Sequence, residues 1–222
     1  MNKAQEFWDK QAKRYDRGEK QFEPAFKEII AKTKAYLNAD DNILDFGCAT
    51  GTRTLELAGG VKHIHGLDFS IEMINEAIRK KKETNFRNIT FSQGTIFNGD
   101  LEKASFDKII SYGVIHLLYD SEKVIQRIHE LLKPGGLFIS TTACLKDKMT
   151  LKKRLEFSSY LLMKKLGILP LHINMFRTSD VDKLIISQNF NLVKAERLFH
   201  GITINFIVAR KQQSLDQMYS GK

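Results

Sequence analysis

The stretch Asn42-Ile43-Leu44-Asp45-Phe46-Gly47-Cys48-Ala49-Thr50-Gly51 constrains this chain more than any other. An apolar run of strand length passes into a loop of small residues, and a helical pattern opens at Thr52. Glycines at such a junction let the backbone approach a ligand closely and take φ values that a side chain would forbid. The same alternation continues down the chain. Strands are expected at 42–46, 62–67, 89–93, 106–111 and 136–141, with helices near 3–16, 21–37, 52–58, 70–82, 121–132 and 178–188. Repeated strand–helix units predict an α/β fold with a mostly parallel sheet. The turn Lys133-Pro134-Gly135-Gly136 should stop one helix sharply before the fifth strand. FNLVKAERLFHGITINFIVAR, at 190–210, reads as two strands joined around Gly201, an antiparallel hairpin closing one sheet edge.

At 222 residues the chain suits one domain, taken as 1–210, with 1–38 as an N-terminal helical cap and 211–222 as a flexible tail. Hydrophobic residues at 42% and charged residues at 27% suit a folded core. No run approaches the roughly 20 apolar residues that span a bilayer, and the charged N-terminus is unlike a signal peptide, so a cytoplasmic setting is expected. Cys48 and Cys144 stand far apart in sequence without zinc-site spacing; both are expected as reduced core thiols, and no metal site is expected. The formal charge of +9 is compatible with nucleic acid, an anionic membrane or acidic substrates, and equally with solvated lysines.

A dinucleotide fingerprint would place three glycines in the loop, but here Ala49 lies between Gly47 and Gly51 and the third glycine is missing. Asp45 stands two residues before Gly47. A carboxylate is unwelcome beside a pyrophosphate and welcome beside a sulfonium or ammonium cation, a contrast that favours S-adenosylmethionine over NAD. Asp68, at the tip of the second strand, can accept hydrogen bonds from both hydroxyls of a ribose. Alone it reads more readily as a helix cap; with the loop upstream, the ribose reading prevails.

The run ILDFGCATG, followed in order by GLDFSIEMINEA, FSQGTIF, SFDKIISYGVIHLLYD and LLKPGGLFIST, resembles the motif series of class I S-adenosylmethionine-dependent methyltransferases, nearest to the small-molecule, quinone or lipid subgroup. The resemblance covers about 40–141. It implies a Rossmann-like seven-stranded sheet with helices on both faces, a helical substrate-lid insertion at 146–177, and methyl transfer by in-line displacement with S-adenosylhomocysteine as product. By position, Asp45, Gly47, Cys48, Ala49 and Gly51 would form the loop at the methionine end, and Asp68 would hold the ribose. Phe69 and Met73 would flank the adenine. Thr95 and Ile96 stand where the family often has Asp and a small or apolar residue. Ser111 and Tyr112 would lie beside the methionyl group, with Tyr15, from a segment similar to the family's capping helix, closing over it.

His116, in Gly113-Val114-Ile115-His116, matches a family position at the mouth of the active site. It is the candidate catalytic base, with substrate orientation or simple packing as the other readings. His172 could reach the site from the insertion, but it is expected at the surface. Leu151, Leu155, Leu162 and Leu166 are spaced to share one face of an amphipathic helix. With its lysines that helix would line an apolar pocket, pack plainly on the sheet, or lie on anionic lipid. A small-molecule acceptor is the favoured partner, and oligomeric state is not legible. Three alternatives stay open: a tRNA methyltransferase, prompted by charge but lacking an Asn-Pro-Pro-Tyr type tetrapeptide; a non-catalytic module of the same fold; and an NAD dehydrogenase.

Overall fold

A computed structural model describes residues 3–212. Its strands are β1 (Asn42–Phe46), β2 (His63–Asp68), β3 (Ile89–Gln93), β4 (Phe106–Tyr112), β5 (Leu132–Ala143), β6 (Phe190–Phe199) and β7 (Thr203–Lys211). They form one sheet in the order β3-β2-β1-β4-β5-β7-β6. The first five are parallel, and β7 runs antiparallel between β5 and β6. The helices are α1 (Lys3–Glu19), α2 (Glu23–Lys34), α3 (Thr52–Leu57), α4 (Ile71–Lys82), α5 (Ser121–Leu131), α6 (Leu151–Lys165) and α7 (Thr178–Ser187). Among the described residues no helix is long and apolar enough to cross a membrane.

Successive side chains of a strand point to opposite faces, so the apolar runs of the central strands feed two cores. Leu44, Ile109 and Phe138 pack with Ile125 and Ile128 of α5 and Val181 and Ile185 of α7. Their neighbours Ile43, Ile110 and Ile139 pack on the other side with Ile29 and Ile30 of α2. Both cysteines are buried and free.

Two local readings change, and one alternative left beside the ribose reading is decided. The Lys133–Gly136 turn is not a break before β5 but an excursion within it: Phe106 pairs with Leu132 and the next partners are Lys108 and Leu137. Lys133 holds the excursion by bonding both Asp107 oxygens at 2.8 Å. Ser70, not Asp68, caps α4, its hydroxyl accepting from Met73 N at 3.2 Å. Helix α6 forms where expected within the insertion, yet its leucine stripe faces solvent. The inward face is the one bearing Lys153, Phe157 and Tyr160, because Lys153 Nζ donates to Gln21 Oε1 at 2.9 Å and lies over the Phe22 ring. Residues 166–177 continue without a helix. Of the expected tail, Lys211 ends β7 and Gln212 N donates to Asn189 O at 3.1 Å; residues 213–222 lie outside the described residues.

Candidate active site

Strand order reverses between β1 and β4, and loops leaving the carboxyl ends of β1, β2 and β4 open a crevice there, the usual ligand position in such sheets. Gly47 begins the first loop at φ +76°, and a Cβ on it would stand 2.4 Å from Val114 Cγ2. The N–H groups of Gly47 and Cys48 both donate to Leu67 O, at 2.8 and 3.1 Å, which pins the loop to the tip of β2. Ala49 also sits in the left-handed region, at φ +48°, and its N–H donates to Asp68 Oδ2 at 3.0 Å.

Two carboxyls are buried beside this loop. Asp45 accepts from Thr54 Oγ1 at 2.6 Å, yet burial pushes it up to about 7, with Asp68 adding to the rise. Asp68 accepts from Ala49 N and, at 2.9 Å, from Ser70 N. Burial still outweighs those two bonds and raises it to about 6. Both carboxyls therefore gain from a ligand that brings a positive charge or hydroxyl donors.

Tyr15, Gly47, Ala49, Asp68, Phe69, Met73, Thr95, Ile96 and Tyr112 line one cavity of about 310 Å³. Asp45 and Cys48 line a neighbouring cavity of about 370 Å³, together with Glu19 and Arg53. Burial lifts Glu19 to about 6 and the Cys48 thiol well above its usual value. The Thr95 hydroxyl is engaged locally, with Asn98 Oδ1 at 3.4 Å and Phe97 N at 3.3 Å. Two expected residues line none of these cavities. Ser111 is fully buried and its hydroxyl donates to Phe46 O at 3.1 Å, tying β4 to β1. Gly51, at φ +73°, is wedged where a Cβ would meet Phe91 Cζ at 2.7 Å and Ala77 Cβ at 2.8 Å.

His116 lines a third cavity of about 590 Å³, walled by α1, α6 and the segments after β4 and β5. Its lining is mainly apolar, with Trp8, Phe157, Tyr160, Leu171 and Ile204. Burial alone holds the His116 imidazole down near 4, so the ring is neutral at physiological pH. Its Nδ1 is sealed from solvent without a partner among the described residues. Tyr15 and Tyr112 stand at the junction of all three cavities. The Tyr112 hydroxyl is anchored to Thr33 Oγ1 at 2.7 Å, and the Tyr15 ring meets Trp8 edge-on at 6.1 Å.

Several residues escaped the sequence reading. Helix α1 is strapped over the crevice at two points: Asp9 accepts from Ser70 Oγ at 2.5 Å, and Asp16 accepts from Thr50 Oγ1 at 2.6 Å and pairs with Lys80. Those three pairs each join residues distant in sequence, so no local pattern marks them. Val114, Leu118 and Val124 add apolar wall to the first cavity. His172 is not a surface histidine: it borders the same cavity, stacked on Tyr119 at 4.4 Å and bonded to Asn174 Oδ1 at 2.9 Å.

Comparison with known proteins bears on the family and the fold. The profile of a family described as methyltransferase domain matches residues 37–169. A Mycolicibacterium smegmatis protein named as a probable S-adenosylmethionine-dependent methyltransferase is 22% identical over 85% of this chain and 66% of its own length. Demethylmenaquinone methyltransferase of Lactococcus lactis is 40% identical over 43% of this chain and 39% of its own. The chain thus spans less than two thirds of these curated relatives. Among solved structures, Haemonchus contortus phosphoethanolamine N-methyltransferase 2, in complex with phosphomonomethylethanolamine and S-adenosylhomocysteine, superposes with a TM-score of 0.69. It is 18% identical, over 84% of this chain and 53% of that one. With the domain profile matched over more than half of its residues, the chain belongs to the class I S-adenosylmethionine-dependent methyltransferase family.

Proposed function

We propose that this chain transfers the methyl group of S-adenosylmethionine to a small, partly apolar acceptor. The observation that carries the reading is the junction at Tyr15 and Tyr112, where two cavities bearing buried carboxyls abut a larger, mainly apolar one. Relatives named for a quinone and for phosphoethanolamine support a small acceptor.

The residues fit the cofactor. Each Asp68 oxygen already takes one backbone N–H and keeps a lone pair for a ribose hydroxyl. Met73, Ile96 and Phe69 offer apolar walls to an adenine. In the adjoining cavity Asp45 suits an ammonium or sulfonium, while the Arg53 guanidinium there is already paired with Glu23 at 2.9 Å and Glu56 at 2.6 Å. Gly47, lacking a side chain, lets the loop backbone approach. When bound, the cofactor supplies a methyl already activated on a sulfonium leaving group. The protein's part is to align the acceptor and exclude water, a contribution worth up to roughly 7–11 kcal/mol.

His116 orients the acceptor in this reading. An imidazole held near 4 draws a proton poorly from a hydroxyl or ammonium at neutral pH, but it is a competent hydrogen-bond partner. Labelled cofactor incubated with a metabolite extract should yield S-adenosylhomocysteine and a labelled product; its persistent absence would sink the enzyme reading. His116→Ala should lower turnover while cofactor affinity measured by calorimetry holds, and equal loss of both would remove His116 from acceptor orientation.

A further inference from the structure

Helix α6 has fifteen residues and buries none of them. Isolated helices of about that length are marginal in water and ordinarily depend on burying an apolar face. Here the inner face, with Lys153, Phe157 and Tyr160, covers the acceptor cavity. The outer face carries a second apolar stripe: Leu151, Leu155, Leu162 and Leu166 are 72%, 63%, 58% and 65% exposed. At 100° per residue those four fall within one narrow sector. Ile168, just past the helix, adds a further 63% exposed side chain. Soluble surfaces rarely expose leucines in such a row.

The charges around the stripe bear on what covers it. The sector is bordered by Arg154 and Lys165 on one side and Lys152 on the other, all exposed. Overall α6 carries five basic residues against the single acid Glu156. Long basic side chains beside an apolar stripe lay their stems along the hydrocarbon boundary and their charges among anionic headgroups. We propose that α6 docks the protein in the plane of an anionic lipid bilayer, leucines inserted and Lys152, Arg154 and Lys165 at the headgroups. This surface is separate from the carboxyl-bearing crevice, so the docking does not rest on the methyl-transfer reading. Where that reading also holds, the helix lying on the bilayer is the one that walls the acceptor cavity.

Flotation of the intact chain with vesicles tests this. It should float with vesicles of equal parts phosphatidylglycerol and phosphatidylcholine, and salt should weaken the association. Vesicles of phosphatidylcholine alone should carry little. Leu155→Glu with Leu162→Glu should cut partitioning on the order of tenfold or more, while calorimetry with S-adenosylhomocysteine and the circular dichroism spectrum stay unchanged, because these side chains are mostly exposed. Replacing Lys152, Arg154 and Lys165 by Gln one at a time should weaken it by roughly fivefold per charge. Failure of the wild-type chain to float, or flotation indifferent to headgroup charge, overturns the proposal. So does a concentration-dependent dimer in analytical ultracentrifugation that the paired leucine substitutions abolish, since the stripe would then belong to a second copy.

Discussion

The crevice under α1 and the cavity under α6 share two tyrosines and are built differently. Around the crevice, polar bonds with little or no solvent exposure fix the walls: Asp68 to Ala49 and Ser70, Asp45 to Thr54, Asp9 to Ser70. Around the larger cavity, α6 buries no residue, and Lys153 ties it to Gln21 and Phe22. A buried polar bond left unmade costs more than an exposed one, so the crevice tolerates little change. The α6 wall of the outer cavity can be reshaped at small cost to the fold. In the proposed reading, the first side holds the cofactor and the second receives the acceptor.

The strongest way to break this contrast is Gly47→Ala. The positive φ and the 2.4 Å approach to Val114 should together cost about 2–4 kcal/mol in a urea titration, with cofactor binding lost. An unchanged titration would mean that the loop yields and the crevice is not rigid. Next is Asp68→Ala, which strands two backbone N–H groups. It should reduce cofactor affinity and fold stability by about 1–3 kcal/mol each. Lost stability with intact affinity would leave Asp68 as a structural tie.

Asp45 sharpens the comparison through pH. Its pKa is raised in the folded chain, so its stabilising share is full below the ordinary carboxylate value and is lost as pH rises through about 7. Asp68 and Glu19 lose theirs through about 6. His116 has the opposite sign, its share being full above the ordinary imidazole value and lost as pH falls towards about 4. A cationic ligand needs the Asp45 carboxylate, so its affinity by calorimetry should climb up to about tenfold per pH unit below about 7 and then level off. Asp45→Asn should abolish that slope. The smallest effect on the fold is expected on the other side: Phe157→Ala should shift stability by about 0.5 kcal/mol or less while raising the acceptor KM. A large drop in melting temperature would show that α6 is held as firmly as α1.

What could be read from the residues follows the same divide. The strands at 42–46 and 89–93 and the Gly47–Gly51 loop were legible because apolar runs and small-residue turns are local signals. Spacing could gather Leu151, Leu155, Leu162 and Leu166 on one face of a helix, but not say whether that face turns inward. That choice is made by Lys153, Phe157 and Tyr160 against other elements. Gly51 and Ser111 were placed by order in the motif series, which does not separate a residue touching a ligand from one bracing its neighbour. The straps at Asp9 and Asp16 depend on pairings across the fold and leave no trace in a window of sequence.

The partition formed by Tyr15 and Tyr112 has an energetic corollary. Both side chains line the cavities on either side, so in the proposed reading a ligand that shifts them in one compartment alters the wall of the other. Because free energy is independent of the order of filling, the factor by which acceptor changes the grip on an S-adenosyl ligand must equal the factor by which that ligand changes the grip on acceptor.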